Sequence, residues 1–285
     1  CLNGKSGSIV AYRVCSDGGI GRNKYIFDGE DMYILSTKGM WDERNEFRLC
    51  DISCHRIREW SYTDKGWFGY EVCVPEPPEV TEIVDGACLI KISPMPEEWR
   101  RLSWQCLGGI GYQGNNLLCS DWDEEHMEDL DYSGIYEYLY GMKYGERFYC
   151  ESASLRIPRG EFESLIMEYL PVTAEQLQKY AAFHEEDGTY EWAGLGCSNY
   201  APTFFGTSVP QVVGVKKNED GTLTLTVDAV CDMVFYDDAV ITHELTVGFA
   251  EDGSFRYLGN KILYGGLEDI PDYQYRISKT REIQS

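Results

Sequence analysis

The richest concentration of reactive groups in this 285-residue chain is the run Asp121-Trp122-Asp123-Glu124-Glu125-His126-Met127-Glu128-Asp129-Leu130-Asp131, where seven of eleven residues are carboxylates. Alternating carboxylates suit a calcium loop, but the EF-hand pattern requires glycine at its sixth position, and counting from Asp121 gives His126. Two carboxylates held about 5 Å, or about 6.5–9.5 Å, apart across a cleft would instead cleave a glycosidic bond. Trp122 among the acids offers a third chemistry, a ligand surface with a flat apolar ring and polar atoms around it. Together with Tyr112, Asn115 and Asn116 upstream, Asp121, Trp122, Asp123 and His126 form the candidate ligand-binding set. A solvated loop is the commoner use of such a charge run.

Other constellations are weaker. Gly109, Gly111 and Gly114 have the spacing of a dinucleotide loop, which requires a helix to open at the third glycine. Here Asn115 and Asn116 lead into Leu117-Leu118-Cys119, which reads as a turn and then a strand. Cys50-Asp51-Ile52-Ser53-Cys54-His55 is one residue longer than the haem attachment pattern, and no second Cys/His pair completes a zinc site. On a strand, Cys50 and Cys54 would share a face roughly 13 Å apart, too far to bridge. His243-Glu244 begins like a zinc-protease motif, but Val247 stands where the second histidine belongs. His184 is expected at a helix end, where a cation complements the dipole. No metal, cofactor or catalytic residue is assigned from these patterns.

The elements that must position these groups are read from punctuation and period. Asp-Gly recurs at 17–18, 28–29, 85–86, 187–188, 220–221 and 252–253, supplying the positive φ of tight hairpin turns. Ser8 to Ile92 therefore reads as a β-meander, with Pro75-Glu76-Pro77-Pro78 as an extended connection. Ile135, Tyr138, Leu139 and Met142 recur on one helical face, as do Phe162, Leu165, Ile166, Tyr169 and Leu170. Pro171 stops that second helix; Thr173 and Gln176 form a capping box for a third, stapled by Val172 and Leu177. Val209–Lys217, Thr222–Cys231, Val240–Ala250 and Ser254–Leu263 then read as an antiparallel meander. The expected class is α+β: a β-rich region over 1–151 with a short helix near 134–143, and an α+β domain over 152–285. A helix pair on a curved antiparallel sheet resembles the cone of the nuclear-transport-factor-like superfamily, an analogy of fold alone.

Composition narrows the function. The chain is 43% hydrophobic, enough for a core, and 25 Lys and Arg against 48 Asp and Glu give a net charge of −23. Such a surface repels phosphate backbones and anionic headgroups, which excludes nucleic acid as a partner. No apolar run approaches the roughly 20 residues of a membrane helix. Aromatic residues crowd two stretches, Tyr132 to Tyr144 and Trp60 to Tyr70, in the manner of rings packed across strands. Eleven cysteines suggest an oxidising compartment, and the odd one is Cys1. Bacterial lipoproteins are cleaved just before a cysteine that then carries the lipid.

The segments Gly111–Leu118, Asp121–Asp123 and Tyr136–Tyr140, with Asp220–Leu225 and His243–Val247, resemble a family of uncharacterised lipoproteins from Clostridia-type bacteria. The resemblance implies export and a lipid on Cys1, and brings no activity or catalytic residue with it. The resulting expectation is an extracellular, membrane-anchored protein that binds a partner protein or a small-molecule ligand without catalysis. It would touch the membrane only through the Cys1 lipid. The alternative is an extracellular hydrolase, with carbohydrate as the candidate substrate, using carboxylates of 121–131.

Overall fold

The computed structural model describes residues 3–14, 18–76, 81–148, 154–195, 208–231, 239–265 and 273–277. The chain divides into two units, Cys1–Ser93 and Pro94–Ser285. The first is an antiparallel sheet whose six strands run in sequence order: β1 (Gly7–Val14), β2 (Ile20–Phe27), β3 (Met32–Trp41), β4 (Phe47–Tyr62), β5 (Trp67–Glu76) and β6 (Thr81–Lys91). Gly18 and Gly29 take the positive φ that their Asp-Gly turns require, and the Asp28 carboxylate accepts the Glu30 and Asp31 amides at 2.9 and 2.8 Å. Asp85-Gly86 is a correction. It lies inside β6 at a bulge, where Glu71 pairs with Ala87 but Cys73 pairs with Val84. A bulge is the other place where a strand uses glycine. On the buried face the Tyr25 and Tyr70 hydroxyls are bonded at 3.0 Å, with Phe68 edge-on to Tyr25 at 5.7 Å.

The second unit starts with α1 (Glu97–Leu102), which runs into a π-helical turn over Ser103–Leu107. There follow β7 (Trp122–Asp123), α2 (Tyr132–Tyr144), β8 (Ser154–Pro158), α3 (Arg159–Tyr169), α4 (Ala174–Tyr180), β9 (Phe183–His184) and β10 (Thr189–Ala193). The strands β11 (Val209–Lys217), β12 (Leu223–Val230), β13 (Ile241–Phe249) and β14 (Phe255–Gly265) form the expected meander, and β7 adds a fifth strand beside β14. A smaller sheet of order β8-β10-β9 was not foreseen, and it places His184 in β9 rather than at a helix end. The class is α+β.

The second unit begins at Pro94, and 94–148 contributes to its core. Leu102, Leu107, Leu117 and Leu118 bury in one cluster with Phe162 and Ile166 of α3 and Val212, Leu225 and Val227 of the large sheet. Leu117–Cys119 form a turn rather than a strand. Thr173 and Gln176 make the capping box in full. Arg256 of β14 caps the other helix, donating to the carbonyls of Met167 and Glu168, so the open end of α3 is satisfied by the sheet.

The helix pair is fastened to the small sheet by Glu163. Its carboxylate accepts from Arg159 at 3.0 and 3.1 Å, Gln178 at 3.0 Å and Tyr190 at 2.8 Å. Burial pushes its pKa up, and the three donors outweigh that and hold it below the usual glutamate range. Beside it Tyr136, Phe162 and Tyr190 stack in sequence, with centroids 5.0 and 4.3 Å apart. Each such pair adds about 1 kcal/mol beyond area burial.

Candidate functional site

The residues singled out between 111 and 131 separate into a buried layer and an exposed turn. Tyr112, Asn115, Asn116 and Trp122 are all buried. Asn115 binds its own loop, donating to the Gly111 carbonyl at 3.1 Å and accepting the Leu117 amide at 3.1 Å. Asn116 ties the loop to the start of α2, donating to the Asp129 carbonyl at 2.8 Å and accepting the Asp131 amide at 2.7 Å. The Trp122 indole donates to the Leu117 carbonyl at 2.7 Å, so its ring is committed to the core and presents no ligand platform. These side chains close backbone groups that a buried loop would otherwise leave unpaired.

Tyr112 leads to a residue that sequence reasoning set aside. Its hydroxyl lies 2.9 Å from Nε2 of His243, whose Nδ1 is 2.6 Å from the Asn260 carbonyl oxygen. Asn260 in turn donates to the carbonyls of Leu118 and Ser120. Because the Asn260 oxygen can only accept, His243 carries its proton on Nδ1 and Nε2 receives the tyrosine hydroxyl. Burial pushes the His243 pKa down to about 4, only partly offset by Asn260. Burial also holds the Tyr112 phenol well above its ordinary value. The order of nucleophile, base and orienting group looks catalytic, yet His243 is fully buried and reaches no solvent. The available signal was the strict alternation of β13, which turns Ile241, His243, Leu245 and Val247 inward together.

Asp121, Asp123 and His126 lie at the surface side of this layer. Asp121 accepts the Ile262 amide at 2.7 Å, anchoring the segment to β14. Asp123 accepts the amides of Glu125 and His126 and lies 2.8 Å from His126 Nδ1. The bond from His126 lowers the Asp123 pKa, and the same bond raises that of His126. Both are fully exposed, and what they build is a turn. Among the described residues, no group of three or more His, Cys, Asp or Glu is arranged to hold a metal ion. Cys50 and Cys54 are exposed free thiols on β4, not core residues.

The same segment does border a cleft of about 680 Å³. One wall is Glu125, Glu128 and the first residues of α2; another is the end of α4 with Lys179 and Tyr180; Glu191 of β10 stands between. Asp131, the N-cap of α2, shapes the cleft by its bonds: it accepts from Gly134 N at 3.1 Å and from the Tyr273 hydroxyl at 2.7 Å. The short segment 273–277 closes the remaining side with Tyr275 and Ile277, locked by Arg276, which donates to the Gly114 carbonyl at 2.9 Å and pairs with Glu137. In the first unit a hollow of about 540 Å³ is lined by Tyr25, Phe27, Trp60, Tyr62 and Phe68, rings that the sequence had crowded along neighbouring strands. No helix among the described residues is long and apolar enough to cross a membrane.

A model for a family of unknown function, DUF6070, matches residues 1–276, and the chain belongs to that family. No curated protein and no solved structure matches it.

Proposed function

Proceeding from that membership, we propose that the chain is a non-catalytic binding protein whose acidic, aromatic cleft takes a small organic cation. The observation that carries this reading is the lining. Glu125, Glu128 and Glu191 supply negative charge, the rings of Tyr180 and Tyr275 line the cleft, and Lys179 is the cation among them, its ammonium 5.8 Å over the Tyr180 ring. Carboxylates and aromatic faces together favour an amine or guanidinium over an anion, and the net charge of −23 steers in the same direction. The hydrolase reading has less support, since Asp121 and Asp123 are occupied in holding backbone.

Spermidine, titrated calorimetrically into the full chain with citrate as control, tests the reading. Saturable binding that weakens about tenfold in Glu128→Gln and Glu191→Gln is expected. Equal heats for both probes would defeat it. We place this role outside the cell, on the resemblance to lipoproteins alone. The intact mass of the protein from its native host checks that placement through a diacylglyceryl increment on Cys1.

A further inference from the structure

We infer that one face of the N-terminal sheet is a docking surface for an acidic protein segment, separate from the cleft. Directly paired residues of an antiparallel sheet point to the same side, so the register defines the face. Tyr12, Arg22, Thr37 and Ile52 form one row across four strands. Val10, Lys24, Leu35 and Cys54 form the next, and Val14, Ile20, Gly39 and Leu49 flank it on the other side. At the tip Trp41 pairs with Phe47, their rings 5.3 Å apart. These apolar side chains are open: Val14 is 76% exposed, Tyr12 67%, Ile52 64% and Leu49 56%. The opposite face buries Tyr25, Phe27, Met32, Ile34 and Ile57. Apolar residues thus stand on both sides of these strands, and the side holding Tyr12, Val14, Leu49 and Ile52 is the open one.

The same register leaves this face without carboxylates. In a chain with 48 carboxylates, these rows hold Arg22 and Lys24, the adjoining row adds Arg56, and none of them contains Asp or Glu. Arg56 lies 3.7 Å from Asp31; among the described residues no ion pair involves Arg22 or Lys24. Asp51 pairs with Lys38, whose row faces the other way. Exposed aromatic and aliphatic groups around arginine, with carboxylates depleted, is the composition of a protein interface core, and the patch is contiguous rather than scattered. The same face of a second copy does not fit, because Arg22 and Lys24 would meet their own images. Charge complementarity selects a segment that carries carboxylates between apolar side chains.

The test is fluorescence anisotropy of a synthetic peptide alternating glutamate and leucine, with the lysine–leucine counterpart as control, against the full chain. The glutamate peptide binds in a salt-dependent manner and the lysine peptide does not. Affinity falls about tenfold both in Arg22→Glu/Lys24→Glu and in Tyr12→Ser/Ile52→Ser, while melting temperatures stay close to wild type. Equal affinity for all three proteins, or for both peptides, overturns the proposal. So does binding to phosphatidylglycerol vesicles, or self-association, that these substitutions abolish while peptide binding is absent.

Discussion

The hydroxyl of Tyr112 donates to Nε2 of His243 across 131 residues of sequence, at 2.9 Å and out of reach of water. Both nitrogens of the imidazole are thereby assigned, and a second proton on the ring would face an oxygen that is itself a donor. Burial of the ring depresses its pKa to about 4, with the Asn260 bond offsetting part of that.

The first prediction follows by linkage. His243 titrates near 6.5 when unfolded and near 4 when folded, so the unfolded state takes up the proton first as pH falls. Its contribution is intact above pH 6.5 and is lost progressively between 6.5 and 4, by about 3 kcal/mol in all. Urea unfolding at stepped pH should show a steeper fall for wild type than for His243→Gln. Parallel curves would refute it.

Tyr112→Phe keeps the ring and removes the donor, leaving a buried nitrogen acceptor unpaired. A loss of about 1–3 kcal/mol is expected. In a double-mutant cycle with His243→Gln the two losses should fail to add by at least ~0.5 kcal/mol. Additive losses would mean that the bond contributes nothing.

Glu163 binds three donors from α3, α4 and β10. Its folded pKa is lowered, so its stabilisation is present above the ordinary glutamate pKa and disappears as pH falls through the folded value. Glu163→Gln should cost about 1.5–3 kcal/mol at neutral pH, the range for charge-assisted bonds, and the gap should narrow in acid. Chemical denaturation at pH 7 and pH 4 decides this.

Two glycines of α2 should answer alanine in opposite ways. Helix propensity favours alanine by about 1 kcal/mol. At Gly141 the new Cβ would make only an ordinary 3.8 Å contact, and Gly141→Ala should raise the melting temperature. At Gly134 it would meet the Gly114 carbonyl oxygen at 2.0 Å, and that oxygen already accepts from Arg276. Gly134→Ala should therefore lower the melting temperature. A rise at both positions would show that the loop yields freely.

Much of the local structure was legible because its causes are local. Thr173 and Gln176 are three residues apart, and their reciprocal bonds depend on nothing distant. The turns at Gly18, Gly29, Gly188, Gly221 and Gly253 follow from the backbone freedom of glycine after aspartate. The alternation of β13, and of β12 as far as Val227, marks which of their residues face inward, and the meander joins them in order.

The site resisted the same reading, since its groups are assigned by partners far along the chain. Asn115, Asn116 and Trp122 are as polar or aromatic as any ligand contact; only the closing of their loop onto α2 and β14 made them structural. Asp85-Gly86 obeys the turn rule in composition and became a bulge because β5 was already in register on both sides. The sequence by itself determined the strands, the helix pair and their caps, where each residue's neighbours in space are its neighbours in the chain. Tertiary structure alone decided that His243 is a neutral core group and that Glu191 and Tyr275 meet Glu128 around one cleft. It also decided that Arg22 and Lys24 share an open face with Tyr12, Val14, Leu49 and Ile52, because burial and charge pairing are properties of the packed sheet rather than of any segment in it.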